Sequence, residues 1–277
     1  MTSVETTQSK AETGDAYRYD RFSTKLLFRD LRFSSNALGP GDSLSATELP
    51  TLDGGSIQIG GHRERPLLVV TGSITCPMTA SAMPVVDELY AEFGDRVDFV
   101  LLNAREAHPG AHFPQPATVE EKHAHARSLQ ERYDVPFTVA VDTLDGELHQ
   151  RLDGKPNAAF LFDVNGEVVF RAQWARDQRL IGDALQSVVA GSAPVKRQSR
   201  AMLGPVARAM GSVDEVMRTA GPGARRDLWF SASPMATAGL LSRLFRFKRN
   251  DHRGIAAVIA VGALVTAESA FLVGLVV

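Results

Sequence analysis

The chain has a single cysteine, Cys76, in the run Gly72-Ser73-Ile74-Thr75-Cys76-Pro77-Met78-Thr79. Directly before it stands the apolar stretch Pro66-Leu67-Leu68-Val69-Val70-Thr71. A strand that ends in small polar residues, turns and starts a helix presents its last side chains at the carboxyl edge of a sheet, beside a helix N-terminus. The free backbone N–H groups there favour an anion, so this address predicts a nucleophilic thiol with a pKa lowered below its free value of about 8.5. The same context disfavours the alternative, an inert cysteine filling a core gap. A lone thiol also dictates its redox cycle. After attack it becomes a sulfenic acid, a mixed disulfide or a sulfenyl halide, and an external thiol, a glutathione-like molecule or thioredoxin, must resolve it. No bound cofactor or metal is called for.

The elements that would position this thiol follow from periodicity. Four apolar runs, Leu67–Thr71, Val97–Leu102, Thr138–Val141 and Ala159–Phe162, read as strands, and the stretches Thr79–Phe93 and Val119–Tyr133 between them read as helices. Strands joined through helices imply parallel pairing. Asn165-Gly166 between two apolar runs is a hairpin signal, and a helix over Arg176–Ala190 follows it. Residues 52–59 read as a further hairpin with a Gly-containing turn. The order βαβ, hairpin, helix is that of a thioredoxin-like α/β fold: a mixed β-sheet with flanking helices and the reactive thiol after the first core strand.

On these residues a family resemblance becomes specific. Gly72-Ser73-Ile74-Thr75-Cys76-Pro77, then Arg105-Glu106-Ala107-His108-Pro109, then Leu129-Gln130-Glu131-Arg132-Tyr133 with Val139-Ala140-Val141-Asp142 resembles the iodothyronine deiodinase family, over about residues 40 to 190. More loosely, the region resembles peroxiredoxins and glutathione peroxidases. The resemblance implies a thioredoxin-like fold, with Cys76 in the place of the family's selenocysteine nucleophile. It implies active-site roles for Glu106 and His108 and hydroxyl contributions from Ser73 and Thr75. In chemical terms His108 would exchange a proton with a leaving group, Glu106 would orient its imidazole, and the two hydroxyls would donate to sulfur or to a bound oxygen. The departures are a cysteine for selenocysteine, Asn103 where the family has a tyrosine, and the absence of a second cysteine. The expected activity is a thiol-dependent oxidoreductase acting on a small molecule, by peroxide reduction or reductive dehalogenation. The alternative is a catalytically silent redoxin-fold binding or scaffold protein tethered to the membrane. A metal site among His108, His112, His123 and His125 is a weaker rival, because Pro109 and Gly110 make 108–112 a loop.

Outside this domain the chain changes character. Residues 1–18 are polar and expected to be disordered, and 19–39 form an amphipathic lead-in, ahead of a redoxin domain over 40–191. Segment 192–253 carries twelve Lys or Arg against four acids and reads as a basic juxtamembrane helical or linker stretch. Residues 254–277 are apolar except for Thr266, Glu268 and Ser269, which predicts a transmembrane helix with the catalytic domain facing the cytoplasm. Glu268 would then contact another membrane segment, a possible route to a homo-oligomer. A formal net charge of −2 argues against a general nucleic-acid binder, although the charge is unevenly spread.

Overall fold

In the computed structural model, which describes residues 17–276 and the side chains of that range apart from 265 and 267–276, the chain opens with helix α1 (Thr24–Asp30). A hairpin follows, β1 (Thr47–Pro50) with β2 (Ser56–Ile59), and then the core elements β3 (Leu67–Gly72), α2 (Pro77–Phe93), β4 (Asp98–Asn103), α3 (Val119–Tyr133) and β5 (Thr138–Val141). A short helix α4 (Glu147–Arg151) leads to β6 (Ala159–Phe162), β7 (Val168–Ala172), α5 (Gln178–Val189) and the short β8 (Gln198–Ser199). Helices α6 (Leu203–Ala220), α7 (Ala224–Ser231), α8 (Ser233–Leu241) and α9 (Asn250–Val276) complete the chain, with a 3-10 turn at Ser242–Phe245. The expected disorder of residues 1–18 lies almost wholly outside the described residues.

The main sheet has the strand order β5-β4-β3-β6-β7-β8, with β3 pairing β4 in parallel and β6 antiparallel. A central strand flanked by a βαβ unit on one side and a hairpin on the other is the thioredoxin-like arrangement. All six residues of β3 are buried, as a strand covered on both faces must be. On one face Leu68 and Val70 pack with α2, α3 and α5. On the other, Leu67 and Val69 pack with Leu49 and Ile59 of the hairpin and Leu148 of α4. Helix α3 is capped by Thr118, whose Oγ1 accepts from Glu121 N, while Glu121 Oε2 reaches back to accept from Ala117 N, one residue before the cap. It ends at Asp134 in the left-handed region, φ 47°.

Two expectations for the C-terminal part are corrected. Residues 203–241 form three helices, of which α6 packs on α2 while α7 and α8 pack on α6 and on each other, and Met210, Val213 and Met217 lie in one cluster with Met78 and Trp174. Much of their basic charge is spent in ion pairs. Buried Asp214 holds Arg225 at 3.0 Å and Arg243 at 2.7 Å, and buried Asp227 binds Arg21 at 2.9 Å. The predicted transmembrane helix is also overturned: among the described residues no helix is long and apolar enough to cross a membrane. The first turns of α9 are committed to α6 instead. A Cβ on Gly254 would meet the Ala207 and Arg208 carbonyl oxygens at 2.5 Å, Arg253 Nε donates to Gly211 O at 2.8 Å, and Ala257 is fully buried. Small residues that count as apolar in a hydropathy window here allow two helix backbones to approach. The cytoplasm-facing orientation rested on that anchor, and the contact assigned to Glu268 lies outside the described side chains.

Candidate active site

Cys76 is the N-cap of α2, extended at φ −102° and ψ 115°, with Pro77 in the first turn, where its missing N–H is no loss. The thiol is 1% exposed. Burial pushes it up to about 11, against the opposing pull of the Met78 and Thr79 backbone N–H groups and the Thr79 hydroxyl. The lowered pKa expected from the helix N-terminus is therefore reversed. The donors are in place, but desolvation of the sulfur outweighs them.

The loop after β4 carries the other predicted residues. His108 N donates to Thr75 Oγ1 at 3.2 Å, and its ring lies 4.2 Å, centroid to centroid, from that of Phe22. Burial lowers its pKa to about 4, so the imidazole is neutral near pH 7, and Nδ1 is buried without a hydrogen-bond partner among the described residues. Cys76 and His108 line one cavity of about 70 Å³. A helical cap closes it: Phe22 and the α1 residues Leu27 and Asp30 on one side, Met210 and Val213 of α6, Leu228 of α7 and Met235 of α8 on another. The His108 loop is bonded to this cap, with Ala111 N donating to Pro222 O at 3.0 Å and His112 N to Ala220 O at 3.0 Å. Gly110 permits the approach, since a Cβ there would lie 2.4 Å from Ala220 O.

Glu106 does not orient His108. Its Oε2 accepts from the Thr75 hydroxyl at 2.6 Å and from Thr75 N at 3.2 Å, and its Oε1 pairs with His125 Nδ1 at 3.0 Å. The Thr75 hydroxyl is thereby committed to a carboxylate and is not free to serve the sulfur. Ser73 Oγ accepts from Ala107 N at 3.2 Å. These hydroxyls bind the cysteine turn to the Glu106–His108 loop. Sequence reasoning missed two members of the network, His125 and Gln115, whose amide brackets the Glu106 backbone: Oε1 accepts from Glu106 N at 3.0 Å and Nε2 donates to Glu106 O at 2.8 Å. A signal for His125 was present. It follows Lys122 by three residues and precedes Leu129 by four, on the buried side of α3. The histidines weighed as metal ligands diverge, for His112 Nδ1 meets Thr219 O at 3.3 Å while His125 turns to Glu106. Asn103, where the resemblance implies a tyrosine, is 1% exposed, and neither its amide oxygen nor its nitrogen has a partner among the described residues. Pro156 lines the same cavity as Cys76, and no cis peptide bond occurs among the described residues.

Residues 56–165, which hold the cysteine turn, the Glu106–His108 loop and α3, match the family model of iodothyronine deiodinase. Over that stretch the chain is similar to this family. A type II iodothyronine deiodinase of Sus scrofa is 28% identical over 160 residues, which are 53% of this chain and 57% of the relative. That of Fundulus heteroclitus is 32% identical over 116 residues, 35% of this chain and 43% of the relative. The chain thus spans about half the length of the curated relatives it matches. Among solved structures, an uncharacterized conserved protein from Geobacillus kaustophilus superposes with a TM-score of 0.48 and 17% identity, covering 59% of this chain and 89% of its own. The deiodinase-like match stops before α5, so the cap helices α6–α8 lie outside it.

Proposed function

We propose that the deiodinase-like domain is a monothiol oxidoreductase in which Cys76 attacks a small molecule and an external thiol restores it. The observation that carries this reading is that Cys76 and the ring of His108, whose Nδ1 is unpartnered among the described residues, line one cavity at the carboxyl edge of the sheet. The resting thiol and imidazole are both neutral. Opening the cap admits water and removes the main influence raising the thiol pKa, leaving the Met78 and Thr79 donors, which lower it. The thiolate-competent state is therefore the opened one.

With a peroxide, the thiolate sulfur bonds to one oxygen, the O–O bond breaks, and the departing alkoxide takes a proton relayed through His108, leaving a sulfenic acid. One external thiol converts this to a mixed disulfide and water, and a second releases Cys76 and a disulfide. With a halogenated aromatic, sulfur takes the halogen as a sulfenyl halide while carbon takes a proton, and the same two thiols complete the cycle with release of halide. The test is consumption of a small thiol in the presence of cumene hydroperoxide or an iodinated phenol, with dimedone trapping of Cys76. Turnover that disappears in Cys76→Ser supports the reading, and turnover indifferent to that change refutes it.

A second reading, a silent redoxin-fold binding protein, is favoured by the buried, protonated thiol itself. It predicts that Cys76 stays unmodified by both substrates even when the cap is loosened.

A further inference from the structure

A separate cleft of about 550 Å³, outside the thiol cavity, lies between the outer face of α1 and the turn that joins α4 to β6. This volume falls within the range of small-molecule sites. Its walls are aromatic and cationic, with Tyr17, Phe28 and Phe33 interleaved with Arg29, Arg32, Arg105 and Lys155. Phe28, a large apolar ring, is 58% exposed.

The charges do not cancel. Arg105 Nη2 and Arg29 Nε share the single carboxylate of Asp30 at 3.8 and 3.5 Å, and Lys155 Nζ faces Asp153 at 3.5 Å. Arg32 makes no ion pair among the described residues. Four cations therefore meet two carboxylates, an excess of two positive charges on a chain whose formal net charge is −2. The inner part of this group is built rather than scattered on the surface. Arg105 and Lys155 are each 2% exposed and anchored to backbone, through Gly154 O at 2.9 Å and Arg29 O at 2.7 Å. The Arg105 guanidinium also lies 5.4 and 5.1 Å from the ring centroids of Tyr17 and Tyr19. Its Nε is buried without a partner among the described residues. Asp153 holds φ 83°, a left-handed conformation unusual for a non-glycine residue, and its carboxylate receives the Ser34 N–H at 3.1 Å. Arg105 and Lys155 are held against Asp30 and Asp153, which leaves the exposed Arg29 and Arg32 as the unbalanced charges that an anion in the cleft would meet.

We propose that this cleft is a binding site for a small dianion carrying a flat or apolar group, of the phosphate-monoester or dicarboxylate kind. The guanidiniums match either anion in shape and charge, and the exposed ring of Phe28 offers the flat part a surface.

The test is calorimetric titration of the full chain with phenyl phosphate and with phthalate, at a pH well above the second ionisation of a phosphate monoester, about 6. Phenyl sulfate and benzoate serve as monoanion controls. At least one dianion is expected to bind saturably and about tenfold more tightly than its monoanion counterpart, the scale of one charge-assisted contact. Binding by phenyl phosphate alone identifies a phosphate-monoester site, and binding by phthalate alone a dicarboxylate site. Arg32→Glu, at an exposed position, leaves the fold intact and is expected to weaken binding about tenfold or more. The proposal is overturned if neither dianion saturates the protein, if monoanions bind as well as dianions, or if both Arg32→Glu and Arg29→Glu bind like the wild type.

Discussion

Replacing Phe22 by alanine tests whether the cap sets the state of the thiol. Phe22 is 8% exposed, its ring packs on that of His108, and it lines the Cys76 cavity. Truncating a buried phenylalanine costs about 3–5 kcal/mol. The lead-in meets the facing helices through Arg21 on Asp227, Thr24 on Ser231 O and the Ser231 hydroxyl on Phe22 O at 3.1 Å, while α1 is tied to the sheet domain by Lys155 on Arg29 O at 2.7 Å and Gln173 on Asp30 O at 2.8 Å. The truncation therefore opens the cover over His108 and Cys76 locally while α1 and the sheet stay in place. In the wild type, with the thiol at about 11, roughly one molecule in a thousand carries a thiolate at pH 8. Returning the pKa to the free range raises that fraction about a hundredfold. The lower nucleophilicity of a less basic sulfur takes back about tenfold, leaving a gain of about tenfold before any gain in access. The assay is the rate of Cys76 alkylation by iodoacetamide from neutral pH upward, read by mass spectrometry. The wild-type rate should still climb above pH 9 or so, and the variant should be faster and level off earlier. A wild-type plateau at or below about 8.5, or superimposable profiles, would refute the argument that burial overrides the helix N-terminus.

Thr75→Val removes the 2.6 Å hydroxyl–carboxylate bond and should cost about 1.5–3 kcal/mol in chemical denaturation, with Thr75→Ser recovering most of it. His108 has a folded pKa lowered to about 4 from 6.5, so between those values the unfolded chain binds the proton and the folded one does not. Stability from this residue is full above 6.5 and is lost as pH falls toward 4, by up to about 3 kcal/mol. His108→Phe should flatten that part of the stability profile, with buried His149, whose pKa is also lowered, retaining a slope of the same sign. Gly254→Leu should separate α9 from α6, seen as proteolytic cleavage within the C-terminal helices while the sheet domain stays resistant. An unchanged digestion pattern would argue against that packing.

The sheet was legible because each core strand is an apolar run bounded by turn residues, and because Asn165-Gly166 marks the β6–β7 hairpin, where Gly166 has φ 79°. The chemical residue types at the site were legible too, since strand order alone brings the cysteine turn and the Glu106–His108 loop to one edge. Pairing within the site was not. Glu106 had two histidines within reach in sequence terms, and only the placement of α3 decides that it takes His125 rather than His108. The C-terminal segment was misread for a related reason. Met210, Val213 and Met217 show helical spacing, but periodicity does not say which surface a helix will cover, and four of the arginines that suggested a membrane surface are ion-paired, Arg218, Arg225 and Arg243 with Asp214 and Arg226 with Asp227.

That covering surface changes the meaning of the one motif the sequence displayed most openly. A cysteine at a helix N-terminus is an activated nucleophile only if water or a charge accompanies the sulfur, because backbone dipoles offset part of the cost of moving an anion out of water. Here Met78, Trp174 and the cap's own Met210, Val213 and Leu228 exclude that water, and the thiol stays protonated. The activating donors and the silencing cap belong to different parts of the chain: the donors lie inside the deiodinase-like match and the cap helices beyond it. On the proposed reading, reactivity at Cys76 depends less on the turn that holds the sulfur than on whether α1 and α6–α8 cover it. Substitutions in the cap should therefore alter the thiol's chemistry more than conservative changes in the turn itself.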